Sequence, residues 1–492
     1  MVDAAIRHGL LYRAKLPAGT PGIAYENTHA PFTLFPTLFP QALFEQAAQL
    51  QPLQQQLLLN QARDSEWFAS VLDPMVATDP FTSRLYALWK ACYVAATPKQ
   101  TTAFGIFRSD YLLQDAAGGG AKIHDLATWQ AALPRLSLHQ VEFNTIAASF
   151  ANLSERVGRV HDYLRQLMPS IPACRPALSH VGAPPRQDVT RAVADGFAEA
   201  HRRYGVPQAV VLMVVQPNER NAFDQRYTEH EVLARHGIQT LRATLADVAR
   251  SATLVGPEDR LMVPDTLADG AMKEVAIVYF RAGYAPTDYP TEAEWEARRR
   301  IEQSYAITCP NLGYHLLGSK KFQQVLAMPG VLERFLDDPA TEAAAVRACF
   351  AGLYPLDDTA AGQAAFEAAC TQPERYVLKP SREGGGNNLY GEAMVDFLRS
   401  ASPEVRASYI LMDLIQAPHL RNVVVRDGRW TRADVVSELG VYGYTIAEQG
   451  RLVKNEVCGY LMRTKTSDAQ EGGVAAGYAF LDTPCFVPLR TL

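Results

Sequence analysis

Apolar residues recur at helical spacing through residues 40–89 (Leu57, Leu58, Phe68 and Leu72 among them), which predicts a helical region broken near Asp79-Pro80. Residues 105–111 read as a strand that ends in charge. Residues 139–146 alternate strictly, with Val141, Phe143 and Thr145 on one side and Glu142 and Asn144 on the other, as in a strand. Helix returns over residues 149–168. Residues 169–187, rich in Pro, Ser, Ala and Gly, form the expected linker. After a helix at 189–204 the pattern changes to strand (209–215), helix (224–236), strand (238–245), strand (274–280) and helix (292–305). That order predicts a small α/β unit with a largely parallel sheet. Beyond Pro310, helices are expected at 320–325, 341–353 and 394–398, and strands at 375–378 and 409–414. Residues 30–36 are apolar but punctuated by proline, which removes ladder donors, so they read as a buried connector and not a strand.

Composition narrows the class. The chain has 492 residues, 48% of them hydrophobic and 20% charged, which suits about two to four soluble domains. A net charge of −5 without long basic runs gives no support to nucleic-acid or anionic-membrane binding. Seven cysteines without a CxxC pair suggest free thiols in a reducing compartment. No apolar run resembling a signal peptide opens the chain, and the longest strongly apolar run, 209–215, is far too short to span a membrane. A cytoplasmic protein is expected.

Three consecutive glycines, Gly384, Gly385 and Gly386, follow Lys379, Arg382 and Glu383 and precede Asn387, Asn388 and Tyr390. Bare backbone beside cations and a carboxylate is either a phosphate cradle or a glycine-rich surface turn. Glu142 and Asn144 share one strand face and, with Glu383, offer hard oxygen donors of the kind magnesium prefers; the alternative is the solvated face of an edge strand. Residues 313–320 nearly match a P-loop, but the order of Ser319 and Lys320 is wrong, so only Lys320 stays as a candidate phosphate contact. Glu219, Arg220, Asn221 and Gln225 follow one strand, and Arg281, Ala282, Gly283 and Tyr284 follow another. Strand ends of this kind form polar pockets in open α/β sheets, although either loop alone could be a hydrated turn. Arg463 and Lys465 precede a second glycine-rich loop at 471–477, which is a candidate lid or a mobile hairpin. Spacing alone supports no Ser-His-Asp set, no HExxH motif is present, and His230 and His236 read as surface or packing residues.

Taken together, these motifs resemble the eukaryotic-type glutathione synthetases over residues 30–484. The likeness rests on residues 30–36, 108–111, 142–146, 219–221, 223–226, 383–391, 437–440 and 463–465. The resemblance implies an α/β fold with an ATP-grasp core, flexible lid loops and an inserted small α/β substrate-binding domain. Residues 1–206 and 311–492 would form the core, and residues 207–310 the insertion. It implies ATP-dependent ligation of γ-glutamylcysteine to glycine by a homodimer, with two magnesium ions held by Glu142, Asn144 and Glu383. The ATP site would comprise Lys320, Lys379, Glu383, Gly384, Gly385, Gly386, Asn387, Asn388, Tyr390, Met412, Asp413, Leu414, Ile415, Glu438, Lys465 and Glu471. The γ-glutamylcysteine or product contacts would be Arg108, Ile146, Ala147, Ala148, Ser149, Glu219, Arg220, Asn221, Gln225, Arg281, Ala282, Gly283, Tyr284 and Arg463. Val474 and Ala475 would line the acceptor pocket. Lys320, Lys379 and Arg463 would screen the transferring phosphoryl group. Ala147 stands where the family often has serine, Ala282 where it has an acid, Asp413-Leu414 where it has Glu-Lys, and Glu471 where it has aspartate. The alternatives are a ligase of the same fold that takes β-alanine or serine, and a nucleotide-binding homologue without turnover.

Overall fold

A computed structural model describes residues 1–14, 26–170, 182–266, 268, 270–381, 387–469, 472–474 and 477–487. The fold is mixed α/β. Its largest sheet has eight strands in the order Lys122–Ile123, His419–Arg426, Phe32–Thr33, Ala479–Asp482, Arg451–Thr466, Arg429–Glu448, Thr102–Asp115 and Leu136–Asn144. A second sheet joins Val210–Val214, Thr240–Ala243, Met272–Phe280 and Ile307–Cys309 in parallel, with an antiparallel extension from Arg260–Pro264 and Thr253–Val255. A third, antiparallel sheet sets Tyr409–Asp413 between Leu353–Tyr354 and Tyr376–Pro380.

The second sheet is largely parallel for a reason visible in its residues. Val210–Val214 is buried throughout. Val210, Leu212 and Val214 pack with Leu245, Val248, Trp295 and Ile301 on one side, and Val211 and Met213 pack with Val193, Phe197 and Ala200 on the other. A strand covered on both faces needs a continuous apolar run, which is what parallel strands between helices show.

Several elements differ from the expected ones. Asp64 and Asp79 both cap helices by accepting backbone N–H bonds, so the 40–89 region divides into Gln41–Arg63, Ser65–Leu72 and Pro80–Trp89. Phe32–Thr33 is a strand after all: Pro31 and Pro36 stay outside the paired positions, so no ladder donor is lost. The strand expected at 238–245 shortens to Thr240–Ala243, because Thr244 forms a capping box with Asp247 and starts a helix. The helix expected at 341–353 ends at Arg347. The long hairpin of Arg429–Glu448 and Arg451–Thr466 shows no clean alternation: the middle of its first strand is buried on both faces. Most of the expected linker lies outside the described residues. The six described cysteines are free, and no described helix is long and apolar enough to cross a membrane.

His161 ties the Ala151–Leu167 helix to the large sheet. Its Nε2 lies 2.7 Å from the Thr33 carbonyl oxygen and its Nδ1 2.6 Å from the Thr483 hydroxyl. A carbonyl only accepts, so Nε2 carries the proton, Nδ1 accepts from Thr483, and the ring is neutral. Burial lowers the imidazole pKa below its usual 6.5 and outweighs the attraction of Asp482. Buried His315 is lowered by burial too, helped by Arg298. As pH falls through the ordinary histidine range, the unfolded chain takes up protons that the folded chain refuses, so stability present above that range is lost below it. The unfolding temperature is therefore expected to drop between about pH 7.5 and 5.5, with a shallower slope in His161→Gln, which should itself cost about 1–3 kcal/mol. Fluorimetric melts over that range check this, and an unchanged slope in the variant would contradict it.

Candidate active site

Strand alternation assembles the site. Arg108 and Asp110 project from one face of Thr102–Asp115, and the register sets Arg108 opposite Asn144 and Asp110 opposite Glu142. Across the sheet, Glu438 pairs with Leu112 and Arg463 with Glu438, so both join the same face. Arg108 holds Asp110 with two parallel bonds, Nε to Oδ1 at 2.6 Å and Nη2 to Oδ2 at 2.7 Å. Asp110 Oδ2 also accepts from Arg463 at 2.8 Å and from Asn144 Nδ2 at 2.9 Å. Arg463 donates to Glu438 as well. Asn144 Nδ2 lies 3.4 Å from Glu142 Oε1, and Lys320 Nζ meets Glu142 Oε2 at 3.2 Å. One charged chain thus runs from Lys320 through Glu142, Asn144 and Asp110 to Arg108, Arg463 and Glu438.

Gly440 makes room for its centre. A Cβ there would stand 2.7 Å from both Arg108 Cδ and Asp110 Oδ1. Burial opposes the ionised Glu142, but Lys320, Lys379, Arg463 and Arg108 prevail and hold its pKa at about 2. Glu438 moves the other way. Burial raises it, Asp110 and Glu142 add to the shift, and Arg463 opposes them.

Arg108, Glu142, Asn144, Lys320, Glu438 and Arg463 line a cavity of about 950 Å³, with Asp110 behind them. The large sheet forms one wall, and Tyr376, Val377, Lys379 and Met412 of the three-stranded sheet face it. Lys379 Nζ reaches to 3.4 Å from the Val141 carbonyl oxygen, bringing the two walls together. Asp413, Leu414 and Ile415 continue the lining, as do Asn388, Tyr390, Lys465 and Val474. Lys320 is buried, not a solvated lysine at a helix start. Glu383, Gly384, Gly385, Gly386, Glu471 and Ala475 lie outside the described residues. Asn387 is described but does not line the cavity.

Ile146, Ala147, Ala148 and Ser149 also line it, beside Arg108, as does Tyr284. This segment is held in an uncommon backbone shape, with positive φ at Ala147 (50°) and Phe150 (76°). The Ser149 carbonyl accepts from Arg108 Nη1 at 3.1 Å and from the Tyr442 hydroxyl at 2.5 Å. Asp224 takes the backbone N–H of Phe150 at 2.8 Å and of Asn152 at 2.9 Å, which caps the following helix from outside. Arg281 joins Ser149 Oγ at 2.9 Å to Asp224 at 3.1 Å. Glu219 accepts from the Asn221 N–H and from Gln225 Nε2. Glu219, Arg220, Asn221, Gln225, Arg281, Ala282 and Gly283 do not line the cavity, and Arg281 is linked to it through Ser149.

Sequence reasoning gave no role to Asp110, Asp224, Tyr442 or Gly440. An acid inside an apolar strand was the available signal for Asp110. The other three act through partners distant in sequence.

A family model, eukaryotic glutathione synthase ATP-binding domain, matches residues 1–486. The chain belongs to that family. It is 39% identical to the human glutathione synthetase over 486 residues, 98% of this chain and 95% of the human protein. It is 38% identical to the chloroplastic glutathione synthetase of Arabidopsis thaliana over 487 residues, 97% of this chain and 82% of the plant protein. A glutathione synthetase-like effector from Globodera pallida, solved in its apo form, shares the fold with a TM-score of 0.73 at 20% identity, covering 99% of this chain and 95% of the effector.

In this glutathione synthase family member the Arg108–Asp110 pair depends on the missing side chain at Gly440. Gly440→Ala is expected to cost about 1–3 kcal/mol of stability through overpacking and to slow turnover on the order of tenfold to a hundredfold through misplaced cations. Melting and steady-state kinetics check both, and wild-type kinetics in the folded variant would contradict the arrangement.

Proposed function

We propose that this chain is a glutathione synthase, joining γ-glutamylcysteine to glycine with conversion of ATP to ADP and phosphate. The observation that carries the reading is the convergence of Lys320, Lys379, Arg463 and Arg108 on the Glu142 and Asn144 edge of one large cavity. A carboxylate repels nucleophiles, so it must be activated. Phosphoryl transfer from ATP to the γ-glutamylcysteine carboxylate gives an acyl phosphate. The glycine amine then attacks the carbonyl carbon, and phosphate leaves from the tetrahedral intermediate. The protein mainly positions the reactants and neutralises charge.

On this reading Lys320, Lys379 and Arg463 neutralise the transferring phosphoryl group. The adenine end of ATP lies along Met412, Asp413, Leu414 and Ile415, and Asn388, Tyr390, Glu438 and Lys465 contribute to the same site. Arg108 and the 146–149 segment hold γ-glutamylcysteine, with Arg281 and Tyr284 behind it. Glu142 and Asn144 fit magnesium: both offer hard oxygen donors on one strand face, and Glu142 stays ionised. With Glu383 they would hold magnesium, which supplies positive charge to the phosphates when bound. The loops around Gly384 and Glu471 act as lids that keep water from the acyl phosphate. Ala475 joins Val474 in the small acceptor pocket. The enzyme works as a cytoplasmic homodimer, which sedimentation equilibrium and cell fractionation can test.

Incubation with ATP, magnesium, γ-glutamylcysteine and glycine is expected to yield glutathione by mass. β-Alanine and serine should react less well, and Lys320→Gln should lose about a hundredfold or more in kcat. Consumption of another amine without glutathione would point to a ligase of different acceptor. No nucleotide turnover with both substrates present would point to a binding protein.

A further inference from the structure

A second run of three glycines, Gly118, Gly119 and Gly120, lies in the connection between Thr102–Asp115 and Leu136–Asn144. Gly119 and Gly120 line the cavity, as do Gln416 and His419 just beyond the Met412–Ile415 stretch. Gly118 and Gly120 have φ of +96° and +76°, which favour glycine. Gly119 is constrained by space instead: a Cβ there would stand 1.9 Å from Gln416 Oε1.

The glycine loop is fastened to the strand-joining segment at 414–419. Asp115 N–H donates to the Gln416 carbonyl at 2.9 Å, Gln416 N–H to Gln114 Oε1 at 2.8 Å, and His419 N–H to the Ala121 carbonyl at 2.9 Å. The side chain of Gln416 is also oriented. Its amide meets the Leu414 carbonyl oxygen at 3.1 Å. A carbonyl only accepts, so the group facing it is Nε2, and Oε1 is turned toward Gly119. No donor among the described residues meets that Oε1.

We propose that Gln416, held in place by the Gly118–Gly120 loop, selects amino-purine over oxo-purine nucleotides. Its Oε1 accepts from the exocyclic amine of adenine and faces the guanine carbonyl oxygen with a second acceptor, which leaves both unpaired. The proposal rests on the reading that this cavity takes ATP with the base along Met412–Ile415.

Calorimetric titration of the full chain with ATP and with GTP tests it. The wild type should prefer ATP. Gln416→Leu should narrow the ATP-to-GTP ratio of Kd values by about tenfold, mainly through weaker ATP binding. Gly119→Ala, which pushes only the end of a flexible side chain, should shift the ratio in the same direction, and it decides the matter if Gln416→Leu does not fold. Equal weakening of both nucleotides, or an unchanged ratio, would overturn the proposal. A wild type that prefers ATP but forms no glutathione would overturn the functional reading alone. One that binds neither nucleotide would overturn both.

Discussion

The structure depends on one buried carboxylate. Asp110 is fully enclosed, yet it takes hydrogen bonds from Arg108, Arg463 and Asn144. Removing such charges from water costs several kcal/mol per ion, and the cost is recovered only where each charge finds well-aligned partners. Asp110 meets that condition because its own strand and two others bring its partners to a single face. The cations on this face are thereby held in place by the fold itself. Loss of Asp110 would leave two buried guanidiniums short of a partner, so the sheet and the site stand or fall together.

The same device recurs at the 146–150 segment. Asp224 holds the backbone of the 146–150 segment and the Arg281 side chain at once. That segment carries two residues of positive φ, a shape costing on the order of 1–3 kcal/mol each, which persists only where the surroundings impose it. Preorganisation of this kind suits a reaction whose chemistry needs position and charge more than a protein nucleophile. The absence of a serine side chain at Ala147 is compatible with this, because Arg108 and Tyr442 bind the segment through the Ser149 carbonyl.

Much of this was legible in the chain. The alternation of residues 139–146 placed Glu142 and Asn144 on one face, and the register keeps them there. The apolar runs at 209–215 and 274–280 foretold a doubly covered parallel sheet. What the pattern concealed was long-range. The Arg429–Glu448 strand is buried on both faces over its middle, so it shows no period of two, and a short strand at Phe32–Thr33 hid behind its prolines. Gly440 looked ordinary because its role is to leave space for residues more than three hundred positions away. Asp110 stood out as a charge but not as a hub, since two of its three partners, Asn144 and Arg463, come from other strands. The glycine run at 118–120 has Lys122 beside it but no carboxamide pair after it like the one that follows 384–386, so it drew less attention.

The claim that this sheet face serves phosphoryl transfer to a carboxylate is tested most directly by isotope. γ-Glutamylcysteine labelled with ¹⁸O in its cysteinyl carboxylate can be turned over with ATP and glycine, and the released phosphate examined by mass. Activation as an acyl phosphate requires one labelled oxygen to appear in each phosphate formed. Unlabelled phosphate accompanying glutathione would contradict it.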